Sequence, residues 1–105
     1  MSNEPFSEQY RVLAEDWVDK DAAARLYEET KSIELARRKS LLNDMTDAKA
    51  ERIVRSSPEW ADYIKRMVDS KTDANKARLK LKVLEMRYYE NQSQNATARA
   101  EMRMG

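Results

Sequence analysis

Six cations fall between positions 71 and 89, at Lys71, Lys76, Arg78, Lys80, Lys82 and Arg87, against only Asp73 and Glu85, and the pair Tyr88-Tyr89 closes the run. Lysine and arginine neutralise phosphates and release their counterions, and aromatic rings stack on unpaired bases. Together they make the surface that holds single-stranded nucleic acid. On a helix the spacing sorts them onto two flanks, Lys76, Lys80 and Arg87 on one and Lys71, Arg78 and Lys82 with Tyr89 on the other. The candidate nucleic-acid-binding residues are therefore Lys71, Lys76, Arg78, Lys80, Lys82, Arg87 and Tyr89. A plainer assignment competes with this one. Charges are normal on the flanks of a coiled coil, and these could pair with Glu15, Asp16, Asp19, Asp21, Glu28 and Glu29 near the start of the chain. A second basic group, Arg37-Arg38-Lys39, sits where a helix should end, a place that favours cations with or without a phosphate ligand.

Other chemistry is poorly provided for. The chain has no histidine and no cysteine, which removes thiolate zinc sites, Cys nucleophiles, Ser-His-Asp triads and most acid-base catalysis near neutral pH. Glu15-Asp16 and Glu28-Glu29 are sequence neighbours, hence about 100° apart on a helix, a poor arrangement for sharing a proton or a metal. The expectation is a protein without enzymatic activity, metal or cofactor. No apolar run is long enough to span a bilayer and the first residues lack a secretory pattern, so a cytoplasmic chain with no membrane partner is expected. The net charge of +1 conceals a polarity: residues 1–30 hold three bases and eight acids, and both later stretches, 31–55 and 56–105, are net positive. An acidic head and a basic remainder attract each other, within or between chains.

The elements that must position these groups are helical. The only glycine is Gly105 and the only prolines are Pro5 and Pro58, which leaves little from which to build hairpins or phosphate loops. Met1 to Phe6 reads as a flexible arm, and Ser7 as the cap of a first long helix over 7–42. Within it Tyr10, Leu13 and Trp17 lie on one line and Val18, Ala22, Leu26, Ile33 and Ala36 on another. Either Asp19-Lys20-Asp21 breaks the helix or one helix carries a broad apolar stripe, and the lack of a strong breaker up to Lys39 favours the single helix. A short helix over 47–55 follows, capped by Thr46, and then Ser57-Pro58 opens a helix over 58–103. Along it Trp60, Met67, Ala74, Leu81 and Tyr88 recur every seven residues, with Ala77 and Leu84 between them, which is a heptad seam. The predicted fold is all-α: one elongated domain, a helical hairpin or coiled coil with a long C-terminal helix. A thin core in a chain that is 37% charged with mean hydropathy −0.93 calls for oligomerisation. Trp60, Met67, Ala74, Ala77, Leu81, Leu84 and Tyr88 are the expected oligomer interface, and Leu79, Val83 and Met86 form a second apolar line for a further neighbour.

Three stretches carry a resemblance: Asn75-Lys76-Ala77-Arg78-Leu79, Met86-Arg87-Tyr88-Tyr89-Glu90, and Ser93-Gln94-Asn95-Ala96-Thr97-Ala98-Arg99-Ala100-Glu101-Met102. They resemble small helical proteins of the recombination modules of tailed bacteriophages, and the opening Glu4-Pro5-Phe6-Ser7-Glu8-Gln9-Tyr10 fits the same group. Lys76-Ala77-Arg78-Leu79 with the tyrosine pair is also similar to a basic stretch of the phage recombination mediator family. Where those mediators have a glycine-bearing turn after the tyrosines, Glu90-Asn91-Gln92 continues here as helix. The resemblance implies an oligomeric helical protein that binds single-stranded DNA and helps to load a recombinase over a single-strand-binding protein, with Lys76 and Arg78 as DNA contacts. The alternative is a protein-only coiled-coil adaptor, inhibitor or assembly factor whose basic flanks are consumed by the acidic first helix.

Overall fold

Ser57 and Pro58 start the longest element as a capped helix should: the Trp60 N–H donates to Ser57 Oγ at 3.2 Å and Pro58 is the first helical residue. The computed structural model describes residues 4–104, with side chains to 103. Over that range the chain forms α1 (Phe6–Ser40), α2 (Asp47–Arg55) and α3 (Pro58–Met104), and no strand. The polar run Asp69 to Asn75 does not interrupt α3. Each poor helix former there costs well under about 1 kcal/mol, less than the packing that keeps the seam in phase on either side.

α1 is also a single helix, with ends that differ from the sequence expectation. It begins at Phe6, because the Pro5 carbonyl accepts the Glu8 and Gln9 N–H groups at 3.1 Å each, which places Ser7 inside the first turn and not at the cap. Of the expected arm, residues 1–3 lie outside the described residues and Phe6 is anchored, its ring stacked on Tyr88 at 4.2 Å between centroids. At the other end α1 stops at Ser40, two residues short of 42, and the Leu41 and Leu42 N–H groups close a tighter turn onto the Arg38 and Lys39 carbonyls. α2 is capped by Thr46, whose hydroxyl accepts the Lys49 N–H at 3.3 Å, and is tied to α1 by a 2.9 Å ion pair between Lys39 and Asp47.

α1 and α3 run antiparallel as a hairpin of 86 × 20 × 20 Å, with a radius of gyration of 23.6 Å against about 13 Å for a compact domain of this length. Trp60, Ala74, Ala77 and Leu81 of α3 are buried, as are Ala24 of α1 and Ala50 and Val54 of α2; Met67 and Leu84 are half-buried. The residues expected at an oligomer interface find a neighbour within the chain. Trp60, Met67, Ala74, Ala77, Leu81, Leu84 and Tyr88 turn toward α1 of the same chain. A heptad seam demands a neighbouring helix, and α1, already tethered through α2, supplies one without the entropy cost of recruiting a second molecule. The alanines allow the two backbones to approach closely. At the connection end the Arg38 guanidinium lies 5.7 Å from both the Trp60 and Tyr63 rings, and the Tyr63 hydroxyl donates to the Tyr27 carbonyl at 3.1 Å.

The second apolar line of α1 is not part of this seam. Val18, Leu26 and Ile33 are 57, 62 and 66% exposed, and Ala22 and Ala36 are exposed with them. Tyr10, Leu13, Trp17, Ala24 and Tyr27 are the residues turned toward α3, roughly half a turn around the helix. On α3, Leu79 and Met86 likewise face outward, at 61 and 58% exposure. Past Tyr88 the partner helix is used up, and every side chain from Tyr89 to Arg103 is exposed on a helical overhang.

Candidate nucleic-acid interface

The basic segment lies on the last part of α3 that α1 still covers. With no glycine or proline to disturb the helix, Lys76 and Arg87 stand about 16 Å apart along its axis, and the other cations fill the turns between. The inner face of this segment, Ala74, Ala77 and Leu81, is buried against α1. The cations therefore line both edges of the groove between the helices. One edge is continuous with an apolar hollow of about 450 Å³ bounded by Leu13, Leu79, Lys80, Val83, Leu84 and Arg87. The other edge carries Arg78 and Lys82 beside Tyr10 and Trp17.

The acids of α1 do not neutralise these edges. Glu8 and Glu15 both hold Arg11, Asp16 holds Lys20 at 3.0 Å and Asp21 holds Arg25 at 2.7 Å, all within one or two turns of α1 itself. Among the described residues only Lys71 reaches across, to Glu28 at 3.3 Å. Among the described residues Lys76, Arg78, Lys80, Lys82 and Arg87 are exposed and make no ion pair. Pairs three or four residues apart along one helix form at almost no entropic cost, so local partners outcompete a neighbouring helix for the same carboxylates. Of the seven residues read from the sequence, five are thus free cations, Lys71 is engaged, and Tyr89 is 69% exposed with its ring edge-on to Tyr88 at 5.7 Å.

The second basic group is built differently. Glu34 accepts from Arg37 and Arg38 at 2.6 and 2.8 Å, and these two guanidinium groups hold its carboxyl well down, to about 2. Lys39 is taken by Asp47, so the cluster at the end of α1 is a structural staple across the connection. Beside the basic segment, the Tyr10 hydroxyl of α1 is pushed up by hydrogen bonding to the Glu85 carboxylate and by its charge. Tyr10 and Trp17 are the members of this surface that sequence spacing missed. They were legible only as apolar positions, because their place beside Arg78 and Lys82 follows from the hairpin register that Phe6 and Tyr88 set.

Among the described residues no three acidic side chains are gathered so as to hold a metal ion, and no helix is long and apolar enough to cross a membrane. Comparison with protein-family models, with characterised proteins and with solved structures finds no match to this chain.

Proposed function

We propose that this chain is a non-enzymatic, oligomeric accessory protein of DNA recombination of the phage type, acting in the host cytoplasm. It binds single-stranded DNA along the basic segment of α3 and works beside a recombinase or a single-strand-binding protein. One observation carries the reading: Lys76, Arg78, Lys80, Lys82 and Arg87 stay exposed and unpaired although α1 brings seven acids, by residue 30, onto the same hairpin. A cation without a carboxylate partner is the group that gains most from a phosphate, through release of its counterions. The exposed Tyr89 adds a ring for stacking at the end of the row. The resemblance of Lys76-Ala77-Arg78-Leu79 and the tyrosine pair to the phage mediators supplies the biological setting.

The test is fluorescence anisotropy of a labelled single-stranded oligonucleotide titrated with the wild-type chain and with the Lys76→Ala, Arg78→Ala, Lys80→Ala, Lys82→Ala combination. Because these side chains are exposed, the variant should keep its helical circular dichroism and lose most of its binding. Undiminished binding would move the site elsewhere.

A second reading rests on the outward apolar residues. Val18, Leu26, Ile33, Leu79 and Met86 form unpartnered lines on the backs of both long helices, which suits a coiled-coil adaptor or assembly factor that binds protein alone. It differs in requiring no nucleic-acid affinity at low salt.

A further inference from the structure

The eight aromatic rings of the chain all fall among the described residues, and there seven lie against another ring: Phe6 on Tyr10 and Tyr88, Tyr27 on Tyr63, Trp60 on Tyr63, and Tyr88 on Tyr89. Trp17 is the exception. It is half-buried, and it borders a hollow of about 220 Å³ between α1 and α3 whose other walls are Tyr10, Arg78, Leu81, Lys82 and Glu85. The make-up of this hollow differs from that of the groove on the opposite edge, which has no aromatic ring. Leu81, nearly buried, forms an apolar floor; two rings from α1 form a wall; Arg78 and Lys82, one helical turn apart and free of ion pairs, form the rim. A flat aromatic group fits the wall and floor, and an anion fits the rim.

We propose that this hollow is a stacking subsite for one unpaired base of a single-stranded nucleic acid, with Trp17 as the stacking ring and Arg78 and Lys82 on the flanking phosphates. The assignment rests on the reading of α3 as a phosphate-binding surface and adds to the exposed Tyr89 a second, partly enclosed place for a base. A purely electrostatic surface takes any polyanion. A surface with this hollow distinguishes a strand with bases from a bare sugar-phosphate backbone, and because every base has a π-face it does so with little regard to sequence. Base pairing in a duplex keeps the faces of the bases stacked on one another, so the hollow also favours single over double strands.

Two oligonucleotides of equal length and charge test it, oligothymidylate and the same backbone made abasic, each titrated into the full-length chain with anisotropy and tryptophan emission read together. Trp60 is 4% exposed and shielded, so a change in emission on binding reports Trp17. The expected result is quenching by oligothymidylate and none by the abasic strand. Trp17→Leu, which keeps an apolar side chain at the site, should weaken oligothymidylate binding about tenfold, leave the abasic strand unaffected and keep the salt dependence of both. Should that variant fail to fold, the emission of the wild-type chain decides alone. Binding of both strands with equal affinity and unchanged emission overturns the subsite and leaves the phosphate-binding reading standing. Absence of binding to either strand at low salt overturns both.

Discussion

Glu34 shows how single residues decide which cations remain available. Its carboxylate holds Arg37 and Arg38, Arg38 in turn lies over Trp60 and Tyr63, and the group is thereby fixed as part of the hairpin's closed end. Its folded-state pKa is lowered from the ordinary 4.5 to about 2. The stabilisation from its charge is therefore complete above the unfolded value and disappears as pH falls from about 4.5 toward about 2. Chemical denaturation across that window should show wild-type stability declining and the Glu34→Gln chain starting lower and declining less; parallel curves would remove Glu34 from the account. At this scale much was legible from residue type. Thr46 and Ser57 are the caps their types announce, because a cap bond is made within three residues. The fate of the acids was not legible. Eight carboxylates near six bases could pair across the hairpin or along one helix, and only the folded chain shows Arg11, Lys20 and Arg25 taking four of them.

The elements were read from periodicity, and periodicity says that a helix has a neighbour without saying whose. The seam from Trp60 to Tyr88 was visible as a heptad, yet its occupant is α1 of the same chain. Likewise Val18, Leu26 and Ile33 repeat at helical spacing, but the same spacing describes an inner face and an outer one. Tyr10, Leu13, Trp17 and Tyr27 win the inner face of α1, since with Ala24 among them they bring large rings to a close approach. The overhang of α3 has no such competitor. Its side chains from Tyr89 to Arg103 are all exposed, so it contributes nothing to the hairpin's core. A chain truncated after Glu90 should unfold at the same midpoint as the full chain. In hydrogen exchange the amides of 91–103 should exchange far faster than those of 60–84, since an unpacked helical end of this length is marginal in water. A large loss of stability on truncation would show that the overhang is packed in solution, against another copy.

The whole molecule is a thin rod with a small core. In a rod 20 Å across, four of the seven buried residues, counting Ala24, Ala50, Ala74 and Ala77, are alanines, while Val18, Leu26, Ile33, Leu79 and Met86 face water. Those outer lines are the exposed apolar surface on which a second copy would dock. Light scattering should therefore give a mass above 12.3 kDa for the wild-type chain. Leu26→Glu with Leu79→Glu should lower that mass with helicity retained, whereas Leu81→Asp should unfold the hairpin, because it places a charge in the buried seam. On the proposed reading, association and strand binding would share the outer surface of α3, where its apolar line runs between the two basic edges. The central claim is that those edges are free for phosphates, and the most direct measurement is the affinity for a single-stranded oligonucleotide across a salt series. Five free cations, each adding about 0.7 to the slope of log affinity against log salt, give an expected slope near −3.5, falling toward zero when Lys76, Arg78, Lys80 and Lys82 become alanine. Binding that ignores salt, or no binding at low salt, contradicts the claim and leaves a protein-only adaptor.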